Sequence, residues 1–266
     1  MYKKTSFIVT ILIILLIFFI FLLEINKKKE LKEFSVTQNV SNHSYHTPFG
    51  IKSNCDQILK REAFEVCYKY GTKSPEWVSY TITKASVSKV LKRKNRFYED
   101  KEIEEKYRAK LSDYKKSGYD RGHMMPNATA DYSKQSQKES FLLSNITPQH
   151  PALNRRGWAY LEKNVRSLAT KYNKVHVVTG ALYDDKKEYI GNNIEIPDFL
   201  YKIIFIPKIN KMTAYLMPNS KVKKTEVSQY LKSVDEIETL TGIDFFYDLD
   251  DKKEEFLVKR MFSMEF

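Results

Sequence analysis

The sequence contains only two cysteines, Cys55 and Cys67, which stand twelve residues apart. A structural zinc site needs about four cysteine or histidine ligands, and no histidine follows this pair closely. Zinc binding at these cysteines is therefore disfavoured. A disulfide in an oxidising compartment and a pair of buried free thiols both remain open, and we predict the disulfide.

Internal repeats are missing from the sequence, and no low-complexity tract follows residue 50. A length of 266 residues leaves room for one medium domain or two small ones. The hydrophobic fraction of 42% and the aromatic fraction of 14% are high enough for a sizeable core. Such a composition excludes a globally disordered chain.

Acidic residues are too few to balance the basic ones, and the formal net charge is +12 at pH 7. The first 33 residues carry +3 of this excess, so +9 falls on the rest of the chain. A domain with such an excess attracts polyanions, and nucleic acid and acidic membrane surfaces are the usual ones. Charge alone does not distinguish these partners from a basic surface that binds neither.

One long apolar run covers residues 7–23 and contains no charged side chain. Its 17 residues approach the roughly 20 that span a bilayer. The small-residue cleavage site of a secretory signal peptide does not follow it. We predict an uncleaved signal anchor with one transmembrane helix over residues 1–24, a polar linker over 25–50 that contains His43 and His46, and a folded domain over 51–266.

The anchor and the disulfide together predict a location for the protein. We expect a single-pass protein of the cell membrane whose domain lies outside the cytoplasm, in the periplasm or the extracellular space. Secretion after cleavage of the signal is the alternative.

The apolar patterns of the domain predict an α+β fold, because helices and strands follow each other without a regular βαβ cycle. Helical spacing predicts helices over 57–68, part of 99–114, 154–172 and 225–240. Strand patterns predict strands over 77–83, 175–178, 199–206 and 212–217. His176 falls in one of these strands, and we expect it to be a hydrogen-bonded core residue.

The sharpest local motif is Asp-Arg-Gly-His at residues 120–123. Gly122 lets the backbone come close to a ligand or a metal ion. The guanidinium of Arg121 suits phosphate, and the imidazole of His123 exchanges a proton near neutral pH. The motif therefore fits a general base beside a phosphate clamp, although a surface turn with an ordinary histidine explains it equally well.

A second group of polar residues leads into the predicted helix 154–172 and comprises Asn145, Asn154, Glu162 and Arg166. With the period of an α-helix, the last three residues share one side of that helix. Simpler explanations exist, since Glu162 and Arg166 could form an i,i+4 ion pair and Asn154 could be an N-cap.

Three blocks in this order resemble the DNA/RNA non-specific endonucleases of the ββα-metal fold. They are Asp-Arg-Gly-His at 120–123, Asn-Ile-Thr-Pro-Gln at 145–149 and Asn-x-x-Gly-Trp-x-x-Leu-Glu at 154–162. The resemblance extends from about Cys55 to the C-terminus. It implies a central antiparallel sheet flanked by helices.

The resemblance also implies a role for individual residues. His123 matches the general base that activates water, and Asn154 matches the ligand of a single Mg²⁺, for which Mn²⁺ or another divalent ion could substitute. Glu162 matches an acid near the water shell of the metal. Arg121 and Arg166 match residues that contact phosphate.

The remaining family positions are Asp120 and Asn145, which hold the site together, and an upstream arginine, for which we choose Arg93 over Arg96. The implied activity is endonucleolytic hydrolysis of phosphodiester bonds in DNA and RNA, with 5′-phosphate ends. Since contacts to phosphate carry no base information, we expect no sequence specificity.

Two other functions stay open at this point. A phosphodiesterase could act on other phosphate esters, and a membrane-tethered nucleic-acid-binding or uptake protein could have little or no catalysis. The presence of both His123 and Asn154 argues against the second. The sequence leaves the preference for DNA or RNA open, and likewise the oligomeric state, a homodimer included.

Overall fold

A computed structural model describes residues 44–94, 96–184, 186–249 and 257. The strands are β1 Ile51–Lys52, β2 Gln57–Lys60, β3 Glu65–Lys69, β4 Ser74–Thr83, β5 Asp120–His123, β6 Ile146–Gln149, β7 Lys174–Leu182, β8 Tyr189–Ile190, β9 Ile194–Glu195, β10 Phe199–Ile206, β11 Lys211–Pro218, β12 Leu231–Lys232 and β13 Asp244–Phe245. The α-helices are α1 Lys84–Val87, α2 Asn127–Ala130, α3 Lys134–Ser140, α4 Ala159–Tyr172 and α5 Val234–Thr241, and a π-helical turn, Leu153–Trp158, leads into α4.

A seven-stranded sheet with the order β12-β11-β10-β7-β4-β3-β2 forms the centre of the domain. Every neighbouring pair in it is antiparallel, which confirms the predicted central antiparallel sheet. The strands expected within 77–83, 175–178, 199–206 and 212–217 are all present. They were predictable because their apolar residues form unbroken or alternating runs between turn residues.

Side chains alternate between the two faces of this sheet and supply two separate cores. Leu200 and Ile204 of β10 pack with Leu161 of α4, on what we call the α4 face. Ile203, from the same strand, packs with Ile237 of α5, on the α5 face. The sheet is therefore covered by a helix on each side, as an α+β domain requires.

A short hairpin stands apart from the central sheet and precedes α4 directly. Strands β5 and β6 pair only with each other, in antiparallel register. Met124 and Met125, just after β5, and Leu153, just after β6, are buried in the core of the α4 face. Hairpin, π-turn and α4 thus form one ββα unit on that face.

The helix predicted over residues 57–68 is wrong, because this segment forms the hairpin of β2 and β3. Val66 is buried on the α4 face and Cys67 on the α5 face, so β3 lacks the polar alternation that identifies a strand. Cys55 and Cys67 form a disulfide, as predicted.

The helix predicted over residues 225–240 is only partly correct. Its first part is a 3₁₀ turn, Lys224–Tyr230, followed by β12. Ser233 then caps α5, and the Glu236 carboxylate accepts a hydrogen bond from the Ser233 backbone N–H, which starts a new helix at this point. The helix ends, as expected, at Gly242, whose φ of 69° suits glycine. Segment 99–114 contains two 3₁₀ turns, Glu105–Tyr107 and Leu111–Tyr114.

The end of the expected linker lies against the domain. His46 is only 7% exposed, and its Nε2 donates to the carbonyl oxygen of Glu62 at 3.0 Å. The backbone N–H of Thr81 donates to Nδ1 of the same ring. The prediction that His46 lies in an exposed linker is therefore wrong, since these hydrogen bonds fix its ring against the domain. His43 and the apolar run 7–23 lie outside the described residues.

Candidate active site

The Asp-Arg-Gly-His motif forms β5, and its register with β6 fixes the direction of its side chains. Asp120 pairs with Gln149, and His123 pairs with Ile146. A side chain on Gly122 would overlap with the side chain of Gln149. The glycine therefore serves the close packing of the hairpin itself, and not the approach of a ligand that the sequence led us to expect.

His123 lies in an aromatic environment beside the hairpin. Its ring centroid is 5.3 Å from that of Phe97 and 5.1 Å from that of Phe141. Its Nε2 is closed to solvent and has no hydrogen-bond partner among the described residues. Burial, and next the charge of Arg93, lowers the pKa of His123 to about 3. The imidazole is therefore neutral at neutral pH.

Asp120 links the hairpin to the π-turn. Its Oδ2 accepts a hydrogen bond from Asn154 Nδ2 at 2.9 Å and another from Arg155 Nε at 2.8 Å. A second bond, from Arg155 Nη2 to Oδ1 at 2.6 Å, makes the ion pair bidentate. The planar fork of the arginine gives this pair a defined geometry, which positions the π-turn relative to β5.

The π-turn changes how Asn154 relates to the helix that follows. We predicted that Asn154, Glu162 and Arg166 share one side of a helix, and that prediction assumed an α-helical period over the whole segment. In the structure, Asn154 lies inside a π-helical turn, Leu153–Trp158, whereas Glu162 and Arg166 lie in the α-helix that follows. Single π-turns inside α-helices often occur at functional sites, and this one carries Asn154.

A cavity of about 250 Å³ opens between these elements and is lined by Phe97, Tyr114, Tyr119, Asp120, Arg121 and Asn154. The guanidinium carbon of Arg121 lies 5.3 Å from the ring centroid of Phe97 and 5.7 Å from that of Tyr114. Its Nη2 donates to the carbonyl oxygen of Leu111 at 3.2 Å. Aromatic contacts on the guanidinium hold the positive charge at the cavity wall.

The donor atoms around this cavity fit a hard divalent cation. The Asn154 amide nitrogen donates a hydrogen bond to Asp120, so the amide oxygen is the side-chain atom that is left to ligate a cation. An amide oxygen is a ligand that Mg²⁺ accepts, usually with several waters retained. The cluster formed by Cys55, Cys67 and Glu76 does not fit, because both sulfurs belong to the disulfide.

A buried charged group lies under α4, and the sequence did not reveal it. Lys202 of β10 is fully buried, its Nζ donates to Tyr80 Oη at 3.1 Å, and it lies 4.6 Å from the ring centroid of Trp158. Burial lowers the pKa of Lys202 to about 8, although the negative charge of Glu162 acts to raise it. Its signal in the sequence was one lysine within an apolar strand.

Glu162 and Arg166 belong to the same electrostatic neighbourhood as Lys202. Burial raises the pKa of Glu162, and the charges of Lys202, Arg166 and Arg93 oppose that rise. Glu162 therefore faces three cations and not Arg166 alone. A simple surface ion pair with Arg166 does not describe this arrangement.

Arg93 and Arg96 have different neighbours. Arg93 lies over the ring of Phe141 at 5.6 Å, and that ring also contacts His123. Arg96 lies over Tyr98 at 5.5 Å. The structure thus brings Arg93 to the histidine, which is the choice made from the sequence.

Asn145 is completely buried and contacts only backbone through its side chain. Its Nδ2 donates to the carbonyl oxygens of Met125 and Ser140, and its Oδ1 accepts from the Met125 N–H at 2.8 Å. These bonds tie the segment after β5 to the segment before β6. Asn145 therefore holds the hairpin together without facing the cavity.

Comparison with known proteins identifies the family of the chain. The profile of the DNA/RNA non-specific endonucleases matches residues 42–252. The chain belongs to this family. The endonuclease resemblance noted in the sequence motifs is thereby confirmed, and its coarser consequences follow: the protein is a nuclease, a hydrolase acting on nucleic acids, from a family that depends on divalent metal ions.

Individual relatives of this nuclease match most of its length. The mitochondrial nuclease of Saccharomyces cerevisiae is 34% identical over 84% of this chain and 77% of its own. Human mitochondrial endonuclease G is 30% identical over 71% of this chain and 69% of its own. A chain in the crystal structure of the EndoG/EndoGI complex superimposes with a TM-score of 0.74 and 31% identity, covering 78% of this chain and 92% of that chain.

The location predicted from the sequence is corrected by these comparisons. We expected a single-pass cell-membrane protein with an extracytoplasmic domain, but the relatives from yeast and human are mitochondrial nucleases, so this prediction is wrong. Within the described ranges from residue 44 onwards, no helix is long and apolar enough to cross a membrane.

Proposed function

We propose that this nuclease hydrolyses phosphodiester bonds in DNA and RNA with His123 as the general base and one Mg²⁺, and leaves 5′-phosphate ends. The observation that carries the proposal is a neutral histidine whose ring contacts Phe97, a residue that lines a cavity together with Arg121, Asp120 and Asn154. The proposed base, a cation and the proposed metal ligand thus belong to one ββα unit.

The protonation state of His123 suits a base. A general base must be unprotonated at the working pH, and the lowered pKa of His123 meets this condition at every pH near neutrality. Since Nε2 is closed to solvent, we assign the proton acceptor role to Nδ1. The rings of Phe97 and Phe141 fix the imidazole in orientation.

Asn154 is proposed to hold the metal ion through its amide oxygen, and Asp120 orients that amide. A divalent cation held there would supply positive charge at the reacting phosphate. Glu162 is proposed to lie near the water shell of the metal. Burial raises the pKa of the Glu162 carboxyl, and the charge of Lys202 opposes that rise.

Phosphate binding is proposed for Arg121, Arg166 and Arg93. Arg121 lines the cavity, while Arg93 and Arg166 contribute positive charge near Glu162. Preorganised cations at the reacting phosphate are a large source of rate enhancement. Because these groups recognise the backbone and not the bases, we propose cleavage without sequence specificity.

A digestion panel tests this proposal. The protein is incubated with plasmid DNA, single-stranded DNA and RNA, with Mg²⁺, with Mn²⁺ and with EDTA, and the ends are mapped with a 5′-phosphate-dependent exonuclease. We expect cleavage of all substrates, loss in EDTA and exonuclease-sensitive ends. Undiminished cleavage in EDTA, or products with 5′-hydroxyl ends, contradicts the mechanism. Binding without cleavage favours the non-catalytic alternative.

A further inference from the structure

A second and larger cavity, of about 430 Å³, lies on the other side of Phe141. Four exposed lysines and two aromatic side chains define what we call the lysine pocket: Lys92, Lys94, Lys134, Lys138, Tyr98 and Phe141. Its volume is that of a small-molecule site. Of these residues, the proposed mechanism uses only Phe141, whose ring orients the imidazole of His123.

The lysine pocket lies near His123. Phe141 lines the pocket, and its ring centroid is also 5.1 Å from that of His123. The guanidinium of Arg93 lies over the same ring. Tyr98 is fixed beside it, because the Tyr98 N–H donates to the carbonyl oxygen of Phe141 at 3.0 Å. The pocket and His123 thus share one neighbour, the ring of Phe141.

Charge at the pocket is unbalanced. In the part of the chain that the structure describes, none of the four lysines forms an ion pair with a carboxylate. Lysine binds phosphate as a mobile point charge, without the fixed geometry of arginine. The pocket thus combines phosphate-binding charges with a partly exposed aromatic side chain, Tyr98, on which a base can stack.

We propose that the lysine pocket binds a flanking nucleotide of the substrate strand, with its base against Tyr98 and its phosphates near the lysines. The inference rests on the proposed nuclease function and adds a substrate class to it. A base can enter an aromatic pocket only when it is unstacked from a duplex, and unstacking costs energy. The pocket therefore favours single-stranded or locally melted nucleic acid over intact duplex.

Equilibrium binding tests the pocket independently of cleavage. Fluorescence anisotropy is measured with labelled single-stranded and hairpin-duplex oligonucleotides, in EDTA, on the full chain carrying His123→Ala. The same background then carries Tyr98→Ala, Lys134→Ala with Lys138→Ala, or the control pair Lys52→Ala with Lys208→Ala. The control removes two exposed lysines that line neither cavity.

We expect Tyr98→Ala to weaken single-strand binding by about tenfold, the effect of losing one stacked base, and to leave duplex binding nearly unchanged. Loss of Lys134 and Lys138 should lower the salt slope of single-strand binding by about 1.4, since each lost phosphate contact removes about 0.7. The control pair should change the slope less.

Three outcomes overturn the proposal. They are an equal loss of single-strand and duplex binding in Tyr98→Ala, no loss in either, and a control pair that matches the loss of Lys134 and Lys138. The lysine variants alter only exposed side chains of α3, so they report on the pocket even if Tyr98→Ala unfolds. Full cleavage by the His123→Ala protein would instead refute the catalytic proposal and leave the binding result standing.

Discussion

Each face of the central sheet has a buried histidine next to it, and the two differ in how their rings are held. On the α5 face, His176 Nδ1 hydrogen-bonds to Thr81 Oγ1 at 2.8 Å, and its ring packs near Phe49 and Phe205. Beside the α4 face, His123 also packs between aromatic rings, but its Nε2 has no partner among the described residues.

Burial alone does not distinguish these two histidines. It lowers the pKa of His176 to about 4 and that of His123 to about 3. The difference lies in their surroundings, since His176 is hydrogen-bonded within the core, whereas His123 contacts Phe97, which lines a cavity together with Arg121 and Asn154. A shifted pKa becomes evidence for catalysis only together with such a constellation.

Replacing each histidine by alanine tests this contrast and should give the largest effect. His123→Ala should lower kcat by about 10²–10⁴, the usual contribution of a general base, with the fold intact. His176→Ala should keep kcat and lower the free energy of unfolding by about 1–3 kcal/mol, because the buried hydrogen bond between His176 and Thr81 is lost. Initial rates on plasmid DNA and urea denaturation measure the two effects. Similar kcat losses in both variants would contradict the comparison.

Asn154 and Asn145 allow a second comparison, between a residue that we propose binds the metal ion and a residue that stabilises the fold. Asn154→Ala should lower kcat and raise the Mg²⁺ concentration for half-maximal activity, because it removes the proposed ligand. Asn145→Ala should act on stability, as it leaves buried backbone groups unsatisfied at about 1–3 kcal/mol each. Metal titrations of activity and thermal melts decide this. An unchanged Mg²⁺ response of Asn154→Ala would remove it from the metal site.

The α5 face can be weakened on its own through its disulfide. The double variant Cys55→Ser with Cys67→Ser should lower the free energy of unfolding by about 3 kcal/mol, as expected for a short closed loop. Below its melting temperature the variant should cleave at the parent rate, because the disulfide lies across the sheet from the ββα unit. A proportional fall in kcat at low temperature would show that the two faces are coupled.

The dependence of stability on pH provides a further test that involves both histidines. Unfolded histidine binds a proton near pH 6.5, while His176 and His123 stay neutral in the folded protein down to about pH 4 and about pH 3. The unfolded state therefore binds more protons in this window, and stability should fall as the pH drops from 6.5. His176→Gln should flatten this decline between pH 6.5 and pH 4. An unchanged slope would mean that His176 is protonated in the folded protein.

The sequence was most informative where one physical signal dominated. Strands such as β7 and β10 have apolar runs bounded by turn residues, and the three family blocks place His123 and Asn154 in one ββα unit. The hairpin of β2 and β3 was mistaken for a helix because β3 is buried on both faces and therefore lacks alternation.

Parts of the site depend on contacts between distant segments and were not predictable. Nothing near Lys202 in the sequence indicates that it lies against Trp158 and opposes the burial of Glu162. Likewise, the ion pair between Arg155 and Asp120 joins residues from separate elements. Such contacts follow from tertiary packing, which local periodicity does not encode.

The π-turn before α4 lies in the segment that joins Asn154 to Glu162, so the length of this segment affects the geometry of the proposed site. Seven residues separate Asn154 from Glu162, and one turn among them is wider than an α-helical turn. Removing one residue from this spacer would turn Asn154 by about 100° around the helix axis relative to Glu162. The helix itself would survive such a deletion with a more regular ladder of hydrogen bonds. The direction of the proposed metal ligand relative to the proposed acid thus depends on the number of residues between them, and a shortened protein would fold and yet present the two side chains at a different relative angle.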